Sequence, residues 1–421
     1  MKWGLFQEVN VFNRRVVITG MGAVSPLGLN VEDYWQGLKE GKSGVGFITL
    51  FDASLYPVKV AAEVKGFDPL NYMSPKRVDR AARCTQFAIA ATRMAVEDAK
   101  LDMSAEKPEQ VGIVIATGGA MSQLIDMGEP IKKRGPKAIH PLLIPRVAPS
   151  MVSAQVGLEL GAKGPNTTMN SACASGSDSI GTALNHIRLG HAEVIIAGGA
   201  ESVIDPFGIG ATGGVGALSK NQDPQKASRP FDKNRDGFVF AEGGGMLVME
   251  TLEHARARGA RILAEVAGAG WSFDAFSETA PDADQQAVAM AAALREAAIT
   301  PEQVDYINAH GTGTQLNDLA ETKAIKMVFG QQAYRVAISS NKSMIGHAAC
   351  AAGSIEAVAA VKTIEEGIIP PTINYETPDP DCDLDYVPNA ARFQPVNICL
   401  SNSFGMGGQN CCVVFKRFAE E

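Results

Sequence analysis

Asn166-Thr167-Thr168-Met169-Asn170-Ser171-Ala172-Cys173-Ala174-Ser175-Gly176-Ser177 decides the architecture. A buried-strand pattern over residues 166–170 ends in small residues, and a helical pattern follows from about Ala174 to Leu189. Strand, tight turn and helix form the unit of a layered α/β protein. The same grammar recurs on both sides. Upstream, Val16-Val17-Ile18-Thr19-Gly20 is a β-branched strand ending in glycine, and a helix is expected over residues 31–40. Residues 75–100 carry a long Ala-rich helical pattern, with Pro75 suited to the first turn. Residues 111–117 and 193–197 read as further strands. Downstream, strands are expected at 261–268, 304–308, 336–340, 396–402 and 411–416, with helices at 283–298, 315–329 and 349–366. Thr300 N-caps a turn opened by Pro301. The pattern predicts two similar halves, 14–257 and 258–421, joined near residues 253–261. No linker-like stretch separates them, so they are expected to share one core in a layered α/β/α/β/α structure.

The bulk composition narrows the classes of function. The chain has 421 residues, enough for two domains or one fused unit. A formal net charge of −8 argues against whole-molecule attraction to nucleic acid or anionic lipid. An acidic partner would need a local basic patch. The seven cysteines are Cys84, Cys173, Cys350, Cys382, Cys399, Cys411 and Cys412. The odd count and the lack of a CxxC pair argue against a disulfide framework and a thiolate zinc site. A reducing compartment is expected, with most of these thiols acting as small buried hydrophobes. Residues 1–15 lack the apolar core of a signal peptide, and no apolar run approaches the ~18–20 residues of a membrane span. A cytoplasmic protein without membrane or nucleic-acid partners is expected.

In open α/β sheets, chemistry gathers at the carboxyl ends of strands. Cys173 sits there, at a helix N-terminus, where a thiol pKa is expected to fall. A lone cysteine at a tight turn can equally be a small core residue. His310 follows the strand at 304–307, and His347 follows the one at 336–339 and precedes a helix. A cysteine with two histidines suits acyl-thioester chemistry. Each histidine could also merely satisfy a strand end. His140, His186, His191 and His254 read as loop or helix-surface residues without a role. Ser401-Asn402-Ser403-Phe404-Gly405-Met406-Gly407-Gly408-Gln409-Asn410 is a glycine-rich turn able to aim backbone N–H groups at an oxyanion. Two nucleotide-loop near misses fail. Residues 37–43 are too short for a Walker A loop, and Gly20-Met21-Gly22 is followed by Ser25 where a dinucleotide fingerprint needs glycine.

With these segments, the chain resembles the elongating β-ketoacyl acyl-carrier-protein synthases of bacterial fatty acid synthesis, particularly the synthase II type. The resemblance runs from about Arg14 to Phe418. It includes Arg14-Arg15-Val16-Val17-Ile18-Thr19-Gly20-Met21-Gly22, Ala227-Ser228-Arg229-Pro230-Phe231-Asp232, Arg235-Asp236-Gly237-Phe238-Val239 and Pro370-Pro371-Thr372-Ile373-Asn374-Tyr375. It implies a thiolase-like fold, a homodimer, no catalytic metal or organic cofactor, and acyl carrier protein as partner. The family's nucleophile falls on Cys173, its histidines on His310 and His347, its lysine on Lys342 and the accompanying carboxylate on Glu356. Thr312 and Thr314 match threonines that bind the pantetheine arm, and Phe404 is placed with them as a substrate-binding residue. The backbone N–H groups of Cys173 and Met406 are expected to form the oxyanion hole. Met406 replaces a glycine-flanked phenylalanine that gates the cysteine in the family, and residues 208–216 lack an aromatic and an arginine often found there.

The implied reaction is decarboxylative condensation of a cysteine-bound acyl chain with malonyl carrier protein. Lys76, Arg80 and Arg83 are spaced i, i+4 and i+7 with Arg77 adjacent, so a single basic helix face is expected to dock the acidic carrier. Three other readings share features. A polyketide-type ketosynthase would use the same catalytic set. A non-catalytic chain-length-factor subunit usually lacks the cysteine. A CoA-dependent thiolase would need a second catalytic cysteine near the C-terminus, where Cys411 and Cys412 lie in an apolar strand pattern.

Overall fold

Among the described residues each half of the chain contributes five strands to the large sheet, in the same order and sense. The structure, a computed structural model, describes residues 14–420, so most of the N-terminal stretch read as free of a targeting core lies outside the described residues. In the first half, β1 (Val16–Val24), β2 (Val111–Ala116), β3 (Asn166–Met169), β4 (Val194–Ser202) and β5 (Glu242–Thr251) lie side by side as β1-β5-β4-β2-β3. In the second, β6 (Ala264–Phe273), β7 (Tyr306–Asn308), β8 (Ala337–Ser339), β9 (Ile398–Phe404) and β10 (Gln409–Lys416) lie as β6-β10-β9-β7-β8. In both, the first strand pairs antiparallel with the last, and the second and third run parallel. The two sets join where Val17 and Ile18 pair with Glu265 and Ala264.

Helices cover both faces of these strands. α1 (Arg83–Asp98) and α2 (Ser150–Leu160) lie outside the first set. α3 (Ser175–Arg188) and α6 (Ala352–Glu366) fill the space between the sets, where Ile180 and Leu184 meet Ile355, Val358 and Phe415. α4 (Ala283–Glu296) and α5 (Gln315–Phe329) cover the outside of the second. Strands buried on both faces have no reason to alternate, which explains their continuous apolar runs. The layers are the α/β/α/β/α order that the pattern predicts.

Glycines let these layers touch. A Cβ on Gly22 would stand 1.9 Å from Ala91 O, and one on Gly20 2.3 Å from Ala95 O. The pair that starts like a nucleotide fingerprint thus serves close packing of α1 on β1. The same device hides β5 from the sequence pattern. Gly243-Gly244-Gly245 carries no β-branched signal, and a Cβ on Gly245 would meet Ser354 O of α6 at 2.6 Å.

Two expected helices are corrected. Residues 75–100 form a four-residue helix, Pro75–Val78, and then α1, because the chain at Ala82 is extended (ψ 162°). Ala81 and Ala82 are buried at this break, so tertiary burial overrides their helix propensity. Residues 349–351 form a 3-10 turn before α6, with Ala349 at φ 44°. Thr300-Pro301 opens one 3-10 turn, closed by a capping box with Gln303.

Candidate active site

The turn at Cys173 is built from strain and small residues. β3 ends at Met169, Ala172 takes φ 50°, and α3 begins at Ser175. A left-handed alanine costs backbone energy, which the surroundings must hold in place. Here the Ser171 N–H donates to Ser175 Oγ (2.8 Å), and Ser175 Oγ–H donates to Ala172 O (2.6 Å). Cys173 thereby projects into a cavity of about 350 Å³. It is half-buried, while the other six cysteines are buried.

The turn between β9 and β10 closes over it. Gly407 (φ 92°) and Gly408 (φ 90°) need left-handed backbone, and a Cβ on Gly405 would lie 2.7 Å from Ser171 O. The Met406 N–H faces the Cys173 sulfur. Burial pushes the Cys173 thiol above its ordinary value, while the Met406 N–H and the Lys342 cation pull it down. The expected fall in thiol pKa is therefore corrected: desolvation outweighs the donors and the helix end.

The two histidines come from the second half. His310 follows β7 and His347 follows the short helix Lys342–Ile345. Their rings meet edge-on with centroids 5.4 Å apart, and both line the cavity with Cys173. Burial, then the Lys342 charge, drives both imidazoles well below their ordinary pKa, so both are neutral. Neither ring nitrogen of His347 has a partner among the described residues. Lys342 is fully buried, with Nζ 2.5 Å from Glu356 Oε1 and 3.4 Å from His310 Nδ1. Lys342 and Glu356 stand behind the histidine rather than lining the cavity.

Thr312 Oγ1 and Thr314 Oγ1 lie 3.0 Å apart on the cavity wall, and Thr314 also caps α5 through the Asn317 N–H. Phe404 is buried, its ring 5.8 Å from that of His310. Met406 is 47% exposed at the rim.

Sequence reasoning misses Glu321. This buried carboxylate accepts from the His310 N–H and the Gly311 N–H, both at 2.8 Å, and from Asn402 Nδ2 at 3.1 Å. Burial pushes it up to about 7 against those three donors. Its signal is a polar residue on the inward face of α5, in phase with buried Asp318 and Asn317.

The basic face is not one helix face. Lys76 lies in the short helix, Arg80 between helices and Arg83 at the start of α1. Arg83 pairs with buried Glu242 at 2.6 Å, while Arg77 pairs with Glu159 and donates to Gln155 O at 2.9 Å. Only Lys76 and Arg80 of the four are exposed. His254 is also corrected: it is half-buried between Glu250 (2.6 Å) and Glu106 (3.0 Å), and the Glu250 hydrogen bond raises its pKa. Cys411 and Cys412 are buried within β10 and do not line the cavity. Among the described residues no helix is long and apolar enough to cross a membrane, and no three His, Cys, Asp or Glu side chains cluster to hold a metal.

The chain is similar to known proteins over nearly its whole length. Residues 13–255 match the family model for the β-ketoacyl synthase N-terminal domain, and residues 263–376 that for the C-terminal domain. A 3-oxoacyl-[acyl-carrier-protein] synthase 2 from Synechocystis is 46% identical over 413 residues, covering 97% of this chain and 99% of that one. One from Staphylococcus aureus is 44% identical over 409 residues, covering 96% and 99%. Among solved structures, the ishigamide ketosynthase/chain length factor superposes with a TM-score of 0.91 at 39% identity, covering 96% of this chain and 100% of that one. A type II polyketide ketosynthase in complex with its acyl-carrier protein gives 0.85 at 38%, with the same coverage.

Proposed function

The chain belongs to the β-ketoacyl synthase family, and on that premise we propose how its own residues carry out the family's condensation. The protein elongates fatty acyl chains by condensing a cysteine-bound acyl group with malonyl carrier protein. Fatty acid synthesis is favoured over a polyketide pathway because the relatives named synthase 2 share 44–46% identity, against 38% for the type II polyketide ketosynthase. Cys173 weighs against a non-catalytic chain-length-factor subunit.

The observation that carries the reading is one cavity lined by Cys173, His310 and His347. Cys173 Sγ attacks the acyl thioester of the carrier, its carbon–sulfur bond breaks, and the thiol proton leaves with the carrier's pantetheine thiol. The N–H groups of Cys173 and Met406 receive the oxyanion. Malonyl carrier protein then enters, with its arm along Thr312, Thr314 and Phe404. His310 and His347, being neutral, each donate an N–H to the malonyl thioester oxygen. The carboxylate's carbon–carbon bond breaks, carbon dioxide leaves, and the electron pair becomes an enolate. The enolate carbon attacks the acyl-cysteine, a carbon–carbon bond forms, and Cys173 leaves and takes up a proton. Lys342, anchored by Glu356, keeps His310 neutral. The balance needs no oxidant or reductant, so we propose no cofactor beyond the carrier's phosphopantetheine.

The partners proposed are acyl carrier protein and a second copy of the chain, in the cytoplasm, where thiols stay reduced. Edge strand β3 and exposed Met121, Leu124, Ile125 and Ile144, between β2 and α2, support self-association. Intact-mass measurement after incubation with acyl carriers, together with carbon dioxide release from malonyl carrier protein, tests the function. The expected result is one acyl adduct on Cys173 that malonyl carrier protein discharges as a product two carbons longer. Acyl transfer that survives in Cys173→Ala would end this mechanism.

A further inference from the structure

The rim above Cys173 carries charge of one sign. Asp236 and Glu278 are exposed on the cavity wall, Asp274 lies deeper, and no lysine or arginine lines it among the described residues. Asp236 accepts from Ser219 Oγ at 2.6 Å and the Lys220 N–H at 3.1 Å, neither of which neutralises it. Glu278 makes no ion pair among the described residues, and its backbone carbonyl accepts the Gly407 N–H at 3.0 Å. The carboxylate therefore rides on a segment tied to the turn over the nucleophile. Both side chains are exposed and neither forms an ion pair among the described residues, although the Asp236 oxygens also hold the Ser219–Lys220 segment.

Every thioester that acylates Cys173 passes this rim with its handle trailing behind. A carrier's arm bears one phosphodiester, whereas coenzyme A bears about four negative charges at neutral pH. We propose that Asp236 and Glu278 sort incoming thioesters by charge, repelling nucleotide-bearing thioesters so that Cys173 is loaded from the carrier. The inference rests on acyl transfer to Cys173 as proposed above. Repulsion between exposed charges acts over about a Debye length, ~10 Å at 0.1 M salt, which fixes the form of the test.

One acyl group is presented on pantetheine, phosphopantetheine and coenzyme A, and acylation of Cys173 is followed by intact mass at low and high salt. The wild-type kcat/KM is expected to fall about tenfold from pantetheine to coenzyme A at low salt, and to level off at high salt. Asp236→Asn combined with Glu278→Gln is expected to flatten the low-salt series to within about twofold, with the uncharged substrate unaffected, while Glu278→Lys inverts it. A double variant that keeps the wild-type slope overturns the proposal. Failure of every thioester, carrier-bound ones included, to acylate Cys173 overturns the functional reading instead.

Discussion

Lys342 and Glu356 form an ion pair at 2.5 Å that is out of solvent on both sides, and the lysine sits 3.4 Å from His310 Nδ1. Burial pushes the Glu356 carboxyl up, and the Lys342 cation offsets part of that rise. Removing one partner strands the other charge, which in buried pairs costs about 3–5 kcal/mol. Lys342→Ala and Glu356→Ala should each lose stability on that scale in urea unfolding. The double variant should lose less than the sum of the two, because no charge is then stranded. Additive losses would mean that the pair is not coupled in the folded protein.

The neutral histidines predict a pH dependence. Their folded pKa values lie well below the ordinary ~6.5, with burial the leading cause and Lys342 next. As pH falls below about 6.5, the unfolded chain takes up protons that the folded histidines refuse. Their contribution to stability is thus fully present above 6.5 and is lost as pH falls toward the depressed folded values. If malonyl decarboxylation uses the neutral N–H donors as proposed, it should show no acid limb near 6.5. Glu321, at about 7 and in contact with the His310 backbone, could add its own step. Glu321→Gln removes that titration and isolates the histidines. An acid limb near 6.5 that persists in Glu321→Gln would refute the neutral pair. His310→Ala and His347→Ala should each cut decarboxylation by roughly 10²–10³, and acylation of Cys173 by much less.

What the sequence disclosed follows from how local each signal is. The turn around Cys173 was legible because small residues between a strand and a helix leave few alternatives. The exposure of that turn to a cavity was not, and with it went the sign of the thiol shift: a helix end acts within one turn, while desolvation depends on residues as distant as Met406. β5 escaped notice because Gly243-Gly244-Gly245 answers to α6 packed on it, not to strand propensity. The break at residues 79–82 lies in a run with strong helix formers, so only tertiary burial marks it. Glu321 was silent because nothing nearby in sequence announces that its carboxylate will hold the His310 loop.

Docking of the carrier should depend on two of the four basic residues. Lys76 and Arg80 are exposed, whereas Arg77 and Arg83 are committed to Glu159 and Glu242. Lys76→Glu with Arg80→Glu should raise KM for carrier-bound substrate severalfold, and leave a short pantetheine thioester unchanged. Arg83→Glu should instead lower stability, since it sets a second carboxylate against buried Glu242. Equal effects of the double variant on both substrates would place the carrier elsewhere.

Met406 offers the sharpest test of chain selection. Its side chain is half-exposed at the rim, while its backbone N–H faces the Cys173 sulfur. The two roles separate, because a side-chain change leaves the N–H where Gly405 and Gly407 hold it. Methionine is unbranched, with three rotatable side-chain bonds, so at the rim it has no one rigid shape. Phenylalanine has two side-chain torsions and a flat ring that must swing as a unit before an acyl chain passes. Met406→Phe should therefore narrow the range of chain lengths that acylate Cys173, or slow acylation of the longest. On the proposed mechanism malonyl decarboxylation by the free enzyme rests with His310 and His347, so it should stay within about twofold of wild type. Competition among carriers of mixed acyl length, read by intact mass, decides the matter. If both proteins give the same adduct distribution, the side chain at this position is packing and not a gate.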